Sequence, residues 1–222
     1  TGQVYNSSWL ALPIKHAGTP LKYRIKAVFE GIPVYDETID FTKCTTWDTY
    51  PVDRTLTCVC NVCWASFKLV DARDKLLSGP AKLTITYPDY GVSLVFRVWN
   101  GTEGRRLPAG TGLTATIDYK DVSGLKPIAP TSFNLTAAST AVTLKFPVYT
   151  LKAYVYDWYG KAKIMGLNST ITFTKDPWAG KTQVASCNDT EVSYTFEQMP
   201  AGGTYTIVMR AKSDGSTPCF NA

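Results

Sequence analysis

Residues 21–30 read LKYRIKAVFE: Leu21, Tyr23, Ile25, Ala27 and Phe29 alternate with Lys22, Arg24, Lys26 and Glu30. A period of two places one set on a buried face and the other in water, which a strand can do and a helix cannot. The same alternation returns in AKLTITY (81–87), through Leu83, Ile85 and Tyr87. It returns again in GVSLVFRVW (91–99), through Val92, Leu94, Phe96 and Val98, and in GLTATIDY (112–119), through Leu113, Ala115, Ile117 and Tyr119. AVTLKFPV, LKAYVYD, TITFT, VSYTF and TYTIVMRA continue it further on. Turn formers separate the runs: Gly31-Ile32-Pro33, Ser78-Gly79-Pro80, Asn100-Gly101 and Ser213-Asp214-Gly215. Regular short strands with no helical period predict an all-β chain, arranged as two tandem Ig-like β-sandwiches.

Three parts are expected along the chain. Residues 1–20 form an N-terminal extended tail, 21–124 a first sandwich and 125–222 a second. The boundary is expected in SGLKPIAPTS (123–132), where two prolines stand among mostly small or polar residues. The tail differs in kind from the rest. Trp9, Leu10, Leu12 and Ile14 make it apolar on both faces, as in a strand buried on both sides. It fits either the first strand of its own sandwich or a donor strand completing a groove in a neighbouring subunit. In the second case Trp9, Leu10, Leu12 and Ile14 are the subunit-interface anchors. Pro13 then limits full pairing to one side of the strand.

The asparagines bear on the compartment. Five of seven lie in N-x-S/T sequons: Asn6, Asn100, Asn134, Asn168 and Asn188. Ser and Thr are 42 of 222 residues, so chance places about one of the seven in such a motif. The excess predicts a secreted or cell-surface glycoprotein with N-linked glycans on exposed positions. Six cysteines, Cys44, Cys58, Cys60, Cys63, Cys187 and Cys219, are an even number in a chain of that kind, which favours a disulfide framework. Cys187 and Cys219 are expected to pair with each other, and the four at 44–63 among themselves. A four-sulfur metal site from those four also fits the sequence. A haem attachment does not, because Trp64 stands where CxxCH needs His.

An internal repeat is visible. FKLVDARDKLLSGPAKLTI, followed later by RLPAGTGLTATIDY, parallels AYVYDWYGKAKIMGLNSTITF, followed by QMPAGGTYTIVMRA. Asp71 and Asp157 end a strand, Gly79 and Gly166 open the next, and Pro108-Ala109-Gly110 matches Pro200-Ala201-Gly202. The first copy lacks the turn glycine, having Asp74, and the late tyrosine, having Leu113. This pattern resembles the prealbumin-like, or carboxypeptidase-regulatory-like, seven-stranded sandwich. The resemblance implies a sandwich and carries no catalytic or binding residues.

Enzymatic motifs are missing: no GxSxG, HExxH, P-loop or GxGxxG occurs, and His16 is the sole histidine. The chain is therefore expected not to be an enzyme and to need no cofactor or metal. Net charge is +5 with the basic residues dispersed, unlike the dense stripe of a nucleic-acid binder. No apolar run reaches the length of a transmembrane helix. Trp47, Trp99, Trp158 and Trp178 lie in or near loops, where aromatics stack on glycans or pack between subunits. The combined expectation is a structural subunit of an extracellular polymer. It would self-associate into a homopolymeric filament, pilus or S-layer, in a style that resembles archaeal surface proteins. The alternative is a monomeric secreted adhesin or glycan-binding module, or the accessory domain of a secreted enzyme.

Overall fold

The computed structural model describes residues 15–40, 59–136, 138–164, 166–188, 190–211 and 218–221. Among them there is no helix. The chain divides into two compact units, Thr1–Val62 and Cys63–Ala222.

The first unit holds two hairpins. Strand β1 (Lys15–His16) pairs with β2 (Thr19–Pro20), and β3 (Lys22–Phe29) pairs with β4 (Ile32–Asp40). Tyr23, Ile25 and Ala27 are half-buried while Arg24 and Lys26 are exposed, as their alternation requires. Glu30 and Gly31 connect the longer strands at φ 52° and 80°, the left-handed pair that matches the twist of a two-residue hairpin.

The second unit contains two groups of strands. The first group comprises β5 (Val62–Val70), β6 (Pro80–Tyr87), β7 (Val92–Trp99), β8 (Thr102–Pro108), β9 (Gly110–Tyr119), β10 (Val122–Leu125), β11 (Phe133–Leu135) and β12 (Ser139–Lys145). Their order is β10-β9-β6-β7-β8-β5-β12, with β11 also on β9. Strand β12 runs parallel to β5 in register from Ser139↔Trp64 to Lys145↔Val70. The sheet closes over one core: Phe67 of β5 meets Phe96 of β7 and Phe133 of β11, each at 6.0 Å between ring centroids. Leu83, Ile85, Leu113, Ile117 and Leu144 complete that core.

The second group comprises β13 (Val148–Ala153), β14 (Leu167–Thr172), β15 (Thr182–Val184), β16 (Ser186–Asn188), β17 (Ser193–Pro200), β18 (Ile207–Ala211) and β19 (Pro218–Asn221). They form two sheets, β13-β17-β16 and β15-β14-β18-β19. Ile171, Phe173, Phe196 and Met199 fill the space between the sheets. Removing such side chains from water stabilises by roughly 1.5–3 kcal/mol each.

The repeat in the sequence is a repeat in geometry. The Asp71 carbonyl accepts from Asp74 N, and its Oδ1 accepts from Lys75 N at 3.0 Å. The Asp157 carbonyl accepts from Gly160 N, and its Oδ1 accepts from Lys161 N at 2.8 Å. Asp74 adopts φ 63° where Gly160 adopts 67°, so the residue that breaks the motif still takes the left-handed backbone. The missing late tyrosine is also replaced. Tyr205 donates its hydroxyl to the Pro200 carbonyl at 3.0 Å, and in the first copy Tyr87, from β6, does the same to the Pro108 carbonyl at 2.9 Å.

The sheets do not divide at 124/125, as the sequence suggested. Strands β11 and β12 follow the proline-containing segment and still hydrogen-bond to β9 and β5. Residues 123–132 therefore cross within the first group. Prolines mark a chain that leaves a ladder, and this one leaves it only to rejoin the same core.

Gly101 and Gly112 separate two costs. Both have positive φ, 71° and 62°. A Cβ on Gly101 would stand 2.7 Å from the Leu69 carbonyl oxygen and 2.8 Å from Leu77 N, whereas on Gly112 it meets nothing within 4 Å. Gly112→Ala is expected to cost about 1–2 kcal/mol, the left-handed penalty alone. Gly101→Ala should cost well beyond that, because backbone must move. Urea titration of the two variants checks the order.

Candidate functional site

The most elaborated polar arrangement lies where the two strand groups of the second unit meet. Its centre is Lys120, in the turn between β9 and β10, 2% exposed and at φ 50°. Its ammonium donates to Gln183 Oε1 at 2.7 Å and to the Glu197 carbonyl at 2.7 Å, with Met199 Sδ at 3.5 Å. The rings of Phe173, Tyr119 and Trp178 stand 5.4–5.5 Å away. A cation among aromatic faces and carbonyl oxygens recovers part of the hydration it lost.

Gln198 completes the seam from β17. Its Oε1 accepts from Ser78 N and Ser78 Oγ, both at 2.8 Å, and from the Tyr119 hydroxyl at 3.2 Å. Its Nε2 donates to the Leu76 carbonyl at 2.7 Å. Gln198 is 2% exposed and also has positive φ, 54°. Trp178 donates from Nε1 to the Pro80 carbonyl at 2.6 Å and packs edge-on against Tyr119 and Phe173. Its ring fills the space in which a Cβ on Gly79 would stand, 2.7 Å away. At the rim, Asp121 Oδ1 accepts from Thr174 N and Lys175 N, and Arg97 pairs with Asp176 at 3.1 Å. Every polar group named at the centre has a partner, as burial demands.

Burial sets the electrostatics. It pushes Lys120 down to about 7, and the Glu197 carboxylate pulls it back part of the way. It pushes the Tyr119 hydroxyl up to about 12 and raises the Tyr205 hydroxyl as well.

The residues singled out in the sequence are dispersed. Asn100, Asn134, Asn168 and Asn188 are all exposed. Oδ1 of Asn100 accepts from Gly79 N, that of Asn134 from Gly112 N, and that of Asn188 from Thr190 N and Glu191 N. In each case Nδ2, the atom a glycan joins, donates to no described residue. Cys60 and Cys63 are free thiols, so neither forms the expected disulfide. Cys63 points into the core from β5, where burial raises its pKa. Cys187 lies exposed on β16. Asn6, Trp9, Leu10, Leu12, Ile14, Cys44, Trp47 and Cys58 fall outside the described residues, as does the side chain of Cys219. Trp178, one of the tryptophans expected to stack on glycans or pack between subunits, is instead a seam residue within the chain. Trp99 is half-exposed, with the Lys181 ammonium 5.3 Å from its ring. Trp158 is 96% exposed and Tyr159 79%.

Sequence reasoning missed Lys120 and Gln198. The available signal was Lys120-Asp121 at a hairpin corner, where a long cation replaces the usual Asn or Gly of a left-handed position. Among the described residues no three His, Cys, Asp or Glu side chains gather as metal ligands. No described helix is long and apolar enough to cross a membrane.

No family model matches the chain, and no curated protein matches it in sequence. Solved structures similar to it include the following two. A streptococcal ancillary pilin aligns over 90% of this chain and 71% of its own, at 12% identity and TM-score 0.24. A leucine-rich repeat protein from Bacteroides thetaiotaomicron aligns over 73% of this chain and 24% of its own, at 14% identity and TM-score 0.31. Both superpositions are too loose to define a shared fold.

Lys120 makes stability depend on pH with a definite sign. Its folded pKa lies below its unfolded value of 10.5, so the unfolded chain binds more protons between about pH 7 and 10. Stability should therefore rise with pH across that window, by at most about 1.4 kcal/mol per unit. Above about pH 10 the raised tyrosines oppose it, because the unfolded phenols ionise first. Lys120→Met should flatten the rise between pH 7 and 9 in denaturant titrations. An unchanged slope in the variant would remove Lys120 as its source.

Proposed function

We propose that the chain is a non-enzymatic structural subunit of an extracellular, N-glycosylated polymer: a filament or pilus, or a surface layer. The observation that carries this reading is the seam. Its two strand groups are joined by buried, fully partnered polar groups, as suits a body that transmits force and not one that opens around a substrate. A second feature supports it. Strand β12 ends its sheet, and among the described residues nothing pairs with its outer edge beyond Lys145. An unpaired edge is a template for a strand from another chain. The apolar run Trp9, Leu10, Leu12 and Ile14 has the composition of such a donor. Prealbumin-like ancestry and an archaeal surface-protein style are the finer parts of the same reading.

A monomeric glycan-binding module is the second reading, favoured by the exposure of Trp158 and Tyr159. Electron microscopy of the native glycoprotein beside a form lacking residues 1–14 separates the two. Regular filaments from the full chain and monomers from the truncation are expected. Sheets that survive truncation would replace the donor strand with a surface layer, and monomers from both forms would overturn the polymer.

A further inference from the structure

The outer face of the β13-β17-β16 sheet carries an arrangement that neither the core nor the seam uses. Ala153 pairs with Tyr194, and Tyr194 with Cys187. Tyr194 points inward, giving its hydroxyl to the Ile164 carbonyl. The next row, Tyr154, Ser193 and Asn188, therefore lies on the opposite face, because successive side chains in a strand alternate; Tyr154 and Asn188 are exposed there and Ser193 is covered. Beyond Tyr154, Tyr156 in a bridge and Trp158 in the turn that follows are also exposed. The three rings are 45%, 45% and 96% exposed. The turn at Asp157–Gly160 and the bridge Tyr156↔Lys163 hold this strip in place.

We infer that the N-glycan carried by Asn188 lies along this strip, its pyranose rings stacked over Tyr156 and Trp158. The inference rests on the glycoprotein part of the function proposed above. Two strand spacings, about 10 Å, separate Asn188 from Tyr154, and two residues of extended chain, about 7 Å, separate Tyr154 from Tyr156, a span that the core sugars of an N-glycan reach. Asn188 Oδ1 is tied to Thr190 N and Glu191 N, which fixes the direction in which Nδ2 leaves the surface. Ser193, between the two, is itself buried, its Oγ donating to Glu191 Oε2 at 3.5 Å, so the glycan crosses above the Glu191–Lys152 pair. The route is lined with groups that bind sugar hydroxyls. Glu191 pairs with Lys152 and accepts Lys163 Nζ at its carbonyl, and the Lys163 ammonium stands 4.8 Å above the Tyr154 ring. Lys163 takes one face of Tyr154, leaving Tyr156 and Trp158 as the open platforms. The apolar face of a pyranose removes their surface from water, which an exposed aromatic patch otherwise leaves uncompensated. Tethering makes the contact intramolecular, so weak stacking suffices.

Hydroxyl-radical footprinting of the secreted glycoprotein tests this, with oxidation of Tyr154, Tyr156 and Trp158 read by mass spectrometry. The comparison is Thr190→Ala from the same host. That change abolishes the sequon but keeps Asn188 and the backbone N–H that caps it. Oxidation of Tyr156 and Trp158 should rise severalfold in the variant, while Tyr90 and Trp99 stay constant. Asn168→Gln, which removes a glycan on the other sheet, should leave all five unchanged. Equal rates in wild type and Thr190→Ala, or an Asn188 without glycan in the secreted protein, would overturn the inference. Microscopy scores assembly separately, so missing filaments with a protected strip would sink the polymer and leave the glycan contact standing.

Discussion

Burying a lysine is the constraint around which the second unit is organised. Moving an ammonium out of water costs several kcal/mol unless the interior returns hydrogen bonds and a favourable field. Lys120 receives both, yet its partners come from three separate places: Gln183 on β15, the Glu197 carbonyl on β17, and rings from both strand groups. The requirement to satisfy one cation thereby fixes the second group against the first. Gln198 works in the same way as a neutral group. Its amide binds Leu76 and Ser78 of the first group and has no slack to bind them from elsewhere.

The backbone records the strain of this arrangement. Lys120, Gln198 and Asn100 all hold left-handed conformations that non-glycine residues avoid. Such residues persist only where their surroundings over-determine them. Here each is held by its own side chain: Lys120 by the cage, Gln198 by four hydrogen bonds, and Asn100 by Gly79 N. The seam is therefore specific as well as buried.

The surfaces divide between two kinds of chemistry. The sequon asparagines stand on turns and outward strand positions, with Oδ1 used to brace the local backbone in three of the four that are described. The aromatic strip at 154–158 lies beside one of them. Tyr154 and Tyr156 are exposed on either side of the half-buried Val155, and Trp158 is exposed in the turn that follows. Their nearness to Asn188 came from the pairing of β17 with both β13 and β16.

The sequence by itself determined the strands, since a period of two has one structural solution. It also determined the equivalence of the two Asp turns, because a carboxylate that caps amides two to four residues on acts locally. It misplaced the division between strand groups, since the return of β12 to β5 is a pairing across more than seventy residues and leaves no local mark. It assigned Cys60 and Cys63 to disulfides from their number, whereas tertiary structure turned Cys63 into the core and left both unbridged. It did not single out Lys120, because the alternation with Tyr119 and Asp121 is that of an exposed position. Only the arrival of Gln183, Glu197 and Trp178 from distant segments put it inside. Local rules fix which way a side chain faces its own strand. What covers that face is decided by whichever chain segment can satisfy its charge.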